Sequence, residues 1–160
     1  MSKHTVGKTE FTIEPGRHDV TITRVFDAPR EAVFKALTDP DLVPQWWGPA
    51  RYPTRVEKAD FRPGGEWRFI SADGDTEYRF HGVFHDVAAP ERIVQTFEFE
   101  GTPGHVALDT LTLEEVDGGT RYTAVSVFQS VEDRDAMTAS GMDEGAAEGL
   151  DRLAALVEKA

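Results

Sequence analysis

Residues 60–87 read DFRPGGEWRFISADGDTEYRFHGVFHDV, and their punctuation decides the fold. Arg62-Pro63-Gly64 and Asp73-Gly74-Asp75 are turn sequences, because proline presets φ, glycine reaches φ > 0 and aspartate bonds its own backbone. The runs between them are rich in aromatic and β-branched residues, which suit a pleated surface. Two strands joined by a short turn are therefore predicted at about 65–72 and 77–87.

Outward from this hairpin the same rhythm continues. Ala89-Pro90-Glu91, the segment Gly101 to Gly104, and Asp117-Gly118-Gly119 divide the chain into further runs at about 52–61, 92–100, 107–116 and 120–129. Six closely spaced strands predict an antiparallel meander. Upstream, Asp19 to Phe26 alternates with Val20, Ile22 and Phe26 on one parity, which predicts a strand. Asp27-Ala28-Pro29 opens a short helix with Val33, Phe34 and Leu37 on one face, and Asp39-Pro40 repeats the signal for a second helix ending near Trp46-Trp47. Downstream of Ser130 the period becomes helical. Met142, Ala146, Leu150, Leu153, Leu156 and Val157 form one stripe, which predicts a long amphipathic helix over Met142 to Val157. An open antiparallel sheet with one apolar face needs a cover, and this helix is long enough to supply it. The reading is α+β, ordered β-α-α-β6-α, a curved antiparallel sheet around a long C-terminal helix. Residues 1–17 are expected to be a flexible segment, fraying over the first ten and with a short strand at Phe11 to Glu14; residues 18–160 are expected to form one domain.

Composition narrows the function. The chain has 160 residues, 39% of them apolar, no cysteine, and a formal charge of −12. Disulfides, thiolate catalysis and thiolate metal sites are excluded. The charge is uneven: residues 1–60 balance, whereas residues 61–160 hold twenty acids against eight bases. Such a field repels phosphate backbones, so no nucleic-acid partner is expected. A basic protein partner remains compatible with it. No run approaches the roughly 18 apolar residues of a membrane span, and Met1-Ser2-Lys3-His4 lacks the apolar core of a secretion signal. A cytoplasmic protein is expected.

Chemical motifs are few. His81 and His85 have zinc-like spacing only on a helix; on a strand they stand about 13 Å apart, so no metal is expected. No nucleophile elbow and no phosphate loop occurs. Carboxylates such as Glu98, between Phe97 and Phe99, read as the solvated outer face of a strand. Aromatic residues stand out instead. Trp46, Trp47, Trp67, Phe69, Tyr78, Phe80, Phe84, Phe97 and Phe99 occupy elements that face or rim the space beneath the closing helix, with Tyr78 or His81, and Glu66 or Arg68, available as polar groups. This cluster reads either as ordinary core or as the lining of a pocket for a small apolar molecule.

Several segments carry a family likeness. Arg24-Val25-Phe26-Asp27-Ala28-Pro29, Thr38-Asp39-Pro40, Trp46-Trp47-Gly48-Pro49, Asp60 to Phe69, Pro90-Glu91-Arg92-Ile93, Gly118-Gly119-Thr120 and Gly141-Met142 with Leu150 and Leu153 resemble the START-like, Bet v 1-like superfamily. Within it the match is to the branch named after activators of the heat-shock protein 90 ATPase, over about residues 18 to 157. The resemblance implies a helix-grip fold, which serves many ligands and several chemistries.

Three functions follow as expectations. The first is a cofactor-free container for a small apolar or amphipathic molecule, with candidate lining Trp46, Trp47, Trp67, Phe69, Tyr78, Phe80, Phe97, Phe99, Met142, Ala146 and Gly149. The second is a co-chaperone that stimulates an ATP-dependent chaperone, although the excess charge here is acidic. The third is a cyclase- or dehydratase-like enzyme using a cavity Tyr, His or carboxylate. One departure bears on the first. Where members often carry tryptophan after the glycine of the closing helix, this chain has Gly145-Ala146, then Gly149. Either a neighbour fills that space or the cavity is wider.

Overall fold

The computed structural model describes residues 3–158. Among the described residues nine strands form a single antiparallel sheet: β1 Lys3–Val6, β2 Thr9–Thr12, β3 Asp19–Phe26, β4 Thr54–Ala59, β5 Glu66–Asp73, β6 Thr76–Ala88, β7 Arg92–Phe99, β8 Val106–Val116 and β9 Gly119–Val127. Their spatial order is β1-β2-β3-β9-β8-β7-β6-β5-β4. Every predicted strand of the meander is present, each within a few residues of its expected bounds. The sheet curves around the long closing helix α3, Met142–Val157. Bulges at Val56/Lys58 and Phe84/Asp86 bend β4 and β6.

Three local expectations are corrected. Residues 3–12 form two strands where one was expected: His4 lies opposite Phe11, the two rings stack at 5.2 Å, and Phe11 is wholly buried. The segment therefore extends the sheet by two strands instead of one. The second short helix is a single 3-10 turn, Val43–Gln45, with Pro44 inside it. The terminal region divides in two, because Gly141 at φ 86° separates α2, Val131–Ala139, from α3. The Ser130 hydroxyl caps α2 by accepting from the Asp133 amide at 3.0 Å.

Strand register fixes which parity faces α3. On β3 the inner set is Val20, Ile22, Arg24 and Phe26, with Val20 and Phe26 wholly buried. Cross-strand pairing carries that face through Thr120, Tyr122, Ala124 and Ser126 on β9 to Ala107, Asp109, Leu111 and Leu113 on β8. It continues through Ile93, Gln95, Phe97 and Phe99 on β7 to Phe80, Gly82 and Phe84 on β6, then to Trp67 and Phe69 on β5. α1, Arg30–Thr38, buries Val33, Phe34, Ala36 and Leu37 in the same core.

Candidate functional site between sheet and closing helix

The aromatic residues singled out in the sequence come together. Trp67 lies 4.7 Å from Phe69 and 6.0 Å from Phe97, and Phe80 lies 5.5 Å from Phe97 and 5.2 Å from Phe99, between ring centroids. Trp47 stands edge-on to Phe69 and Phe80, and Tyr78 sits at the rim between Phe99 and Tyr52. Offset and edge-on pairs of this kind add to the energy of burial itself.

Their roles differ. Trp67 is only 1% exposed, crosses the bare backbone of Gly82 and donates its indole N–H to the Thr96 carbonyl at 3.2 Å. Trp46 donates to the Ala36 carbonyl at 2.8 Å, which ties the loop after the 3-10 turn to α1. Phe69 is buried, whereas Trp47, Phe80, Phe97, Phe99, Met142 and Ala146 remain partly accessible although they point inward. Ala146 is flanked along the sheet-facing stripe by Met142 and by buried Leu150.

Gly149 has another task. A Cβ there would stand 3.1 Å from the Trp46 carbonyl oxygen and 3.3 Å from the Gly48 amide, so the glycine admits the backbone of the Trp46–Gly48 loop against the helix. Arg152 completes this docking by donating to the Gly48 and Pro44 carbonyls. Gly145 faces Pro49 at 3.8 Å on the same side. The small residues at 145 and 149 thus serve loop attachment, whereas Ala146 lies on the helical stripe of Met142 and Leu150.

Of the polar candidates, Tyr78 is on the inner face, and Glu66, Arg68 and His81 are on the outer one. There Arg68 binds Glu100 through Nη2 at 2.7 Å and also contacts Glu57, while His81 lies 2.9 Å from Glu100 and 3.2 Å from Glu98. The Arg68 guanidinium, with help from His81, holds the Glu100 carboxyl down to about 2. This network borders an open depression of about 490 Å³. A second depression, about 450 Å³, lies at the β8–β9 turn beside Pro29. Among the described residues no three metal-ligating side chains converge, and no helix is long and apolar enough to cross a membrane.

One inner-face group escaped the sequence reading. Asp109 on β8 lies opposite Gln95 on β7 and Ser126 on β9. Burial pushes its carboxyl up to about 6 against a smaller opposing effect of the Ser126 hydroxyl, although part of the residue's surface stays accessible. Burial, and secondarily the nearby Asp109, raises the Tyr122 phenol. The sequence signal was present but ambiguous. In Leu108-Asp109-Thr110-Leu111 either parity could have faced in, and only the register turns Leu108 outward.

A long antiparallel sheet closed over an aromatic inner face by a C-terminal helix is the helix-grip architecture of START-like, Bet v 1-like proteins. Residues 27–158 match the family described as Activator of Hsp90 ATPase homolog 1-like protein. The chain belongs to this family. Solved structures agree. A protein of Arthrobacter aurescens superposes with a TM-score of 0.85 at 27% identity, covering 92% of this chain and 90% of that one. Ms6760 of Mycobacterium smegmatis gives 0.84 at 28% identity, covering 92% and 94%. A Rhodobacter sphaeroides protein gives 0.84 at 27% identity, covering 92% and 98%. Comparison with curated proteins returns no match. The fold and family are those of a small-ligand-binding or activator-type protein.

Proposed function

We propose that the protein binds a small apolar or amphipathic molecule between the inner face of the sheet and α3. The observation that carries this reading is the partial accessibility of Ile22, Phe80, Phe97 and Leu111, all inward-facing and all packed against buried core residues. Side chains of a close-packed interior lose that accessibility, because interiors leave few voids larger than a water molecule. Apolar lining with few polar groups is the usual composition of a ligand pocket.

The test is titration with a neutral apolar dye, N-phenyl-1-naphthylamine, together with melting of the Ala146→Trp variant. Wild-type protein is expected to bind one dye per chain with micromolar affinity, on the order of −8 kcal/mol, and to melt at higher temperature in its presence. Ala146→Trp is expected to keep the fold and lose the dye. Absence of dye binding, with a lowered melting temperature for the variant, would reject the pocket and leave an overpacked core.

The family match favours a second reading, stimulation of an ATP-dependent chaperone. Under it, adding the protein raises a chaperone's ATPase rate, and Ala146→Trp does so equally well, since the contact surface would lie outside the pocket.

A further inference from the structure

One register step on β8 and β9 has its polarity reversed. Leu108 and Val127 stand opposite each other on the outer face, each 43% exposed. The adjacent pair, Asp109 and Ser126, faces α3. Gln95 continues the line onto β7, so three polar side chains on three neighbouring strands form a band across the inner face. On β8 the band lies between Ala107, which belongs to the smaller apolar cluster with Val20 and Phe128, and Leu111, which packs against the main core.

Such an inversion is costly. Exchanging the two faces would bury two aliphatic side chains and release a carboxylate to water, both favourable changes. Local violations of the apolar-in, polar-out rule concentrate at functional sites. Asp109 also lacks the compensation that buried acids usually have. Among the described residues it takes part in no ion pair; burial raises its carboxyl and the Ser126 hydroxyl opposes this. The two buried arginines are engaged elsewhere: Arg24 on β3, opposite Tyr122, binds Asp151 of α3 at 2.5 Å, and Arg134 on α2 donates to the Asp19 carbonyl and to Asp135. Tyr122 on β9 is the other titratable neighbour. On α3 the stripe residues Met142, Ala146 and Leu150 carry no charge, and on α2 Met137 packs against the cluster of Val20, Ala107 and Phe128 while Arg134 is the buried charge. Asp109 nevertheless keeps part of its surface accessible, as do Gln95 and Ser126.

We propose that Asp109, flanked by Gln95 and Ser126, is the recognition point for the polar end of the bound molecule, and that this end is a basic nitrogen. The inference rests on the pocket reading above. The ligand is then an amphipathic amine, whose ammonium supplies the missing counter-charge and donates to the carboxylate, while its apolar body lies against Phe80, Phe97 and Leu111. Charge-assisted bonds of this type are roughly twice as strong as neutral ones. The net charge of −12 works in the same direction, since it favours entry of a cation and opposes a fatty acid.

Three probes of one shape separate the possibilities: 1-naphthylmethylamine, 1-naphthalenemethanol and 1-naphthoic acid. Each is measured at pH 7.5 by displacement of the neutral dye, so that loose attraction of the amine to the acidic surface does not register. The amine is expected to compete about tenfold better than the alcohol, and the acid worst. Asp109→Asn is expected to bring the amine to the level of the alcohol while the alcohol changes less than about twofold. Should that variant fail to fold, the wild type answers alone: lowering the pH from 7.5 to 5 is expected to erase the amine's advantage and leave the alcohol unchanged. Equal competition by amine and alcohol in the wild type would overturn the proposal, as would an amine preference that survives Asp109→Asn or acidification. If the dye itself does not bind, the pocket reading falls, and the recognition point with it.

Discussion

Arg24 on β3 and Asp151 on α3, 127 residues apart in sequence, meet at 2.5 Å between Nη1 and Oδ1. Arg24 is 4% exposed and projects from the inner face among apolar side chains, while Asp151 is about half exposed at the edge of the helix. The pair joins the closing helix to the strand nearest the N-terminal hairpin. Removing one partner of such a pair strands a charge in the interior, which costs far more than replacing the pair by apolar groups.

Asp151→Ala is therefore expected to destabilise the protein by about 2 kcal/mol, below the usual figure for a buried pair because one partner reaches water. The double variant Arg24→Met, Asp151→Ala is expected to recover most of this loss. Chemical denaturation of the single and double variants measures it, and a double variant no more stable than Asp151→Ala would refute the argument.

The glycines of α3 predict a graded series. A Cβ at Gly145 would make only an ordinary contact with Pro49, so Gly145→Ala gains helix propensity and is expected to stabilise by about 0.5–1 kcal/mol. At Gly149 the same gain is opposed by a 3.1 Å approach to the Trp46 carbonyl, and Gly149→Ala is expected to be less stable than Gly145→Ala. Thermal melts of the two variants decide the order.

Gly82→Ala is expected to be far more damaging. Its Cβ would fall 1.9 Å from the Thr96 carbonyl oxygen and 2.5 Å from the Trp67 indole nitrogen, so the strand and the buried indole would both have to move. A loss at or above the top of the ~1–3 kcal/mol range for overpacked cores is expected, together with a red shift of tryptophan fluorescence as Trp67 leaves its site. A variant with wild-type melting and emission would show that Trp67 does not depend on the bare strand beneath it.

Two carboxyls give opposite pH dependences. Arg68 holds Glu100 at about 2 in the folded state against 4.5 ordinarily, so the folded protein binds fewer protons than the unfolded chain between these values. The stability Glu100 contributes is full above pH 4.5 and is lost as pH falls toward 2. Glu100→Gln is expected to melt lower than wild type at pH 7, the two curves converging in acid.

Burial raises Asp109 to about 6 against 3.8 ordinarily, so the folded state holds the extra proton between these values. Its penalty is absent below pH 3.8, grows as pH rises and is complete above 6. Asp109→Asn is expected to melt higher than wild type at pH 7.5, with the gain shrinking toward pH 4. A constant difference across that range would remove Asp109 from the interior.

What the linear sequence determined was the set of elements. Turn residues such as Arg62-Pro63-Gly64 and Asp117-Gly118-Gly119 act through φ preferences and short-range backbone bonds, and the stripe from Met142 to Val157 follows from the helical repeat. Both are local properties, so strands and closing helix were legible before any contact was known. The aromatic set was legible as well, because residues of that size must be covered by something. Tertiary structure alone decided which parity of each strand faces the helix, since a shift of one residue exchanges the two faces at no local cost. Pairing across five strands turned His81 and Arg68 outward and Asp109 inward, and the approach of the Trp46–Gly48 backbone gave Gly149 its purpose. The polar band Gln95, Asp109 and Ser126 draws its members from three strands, and only hydrogen-bonded register brings such residues side by side.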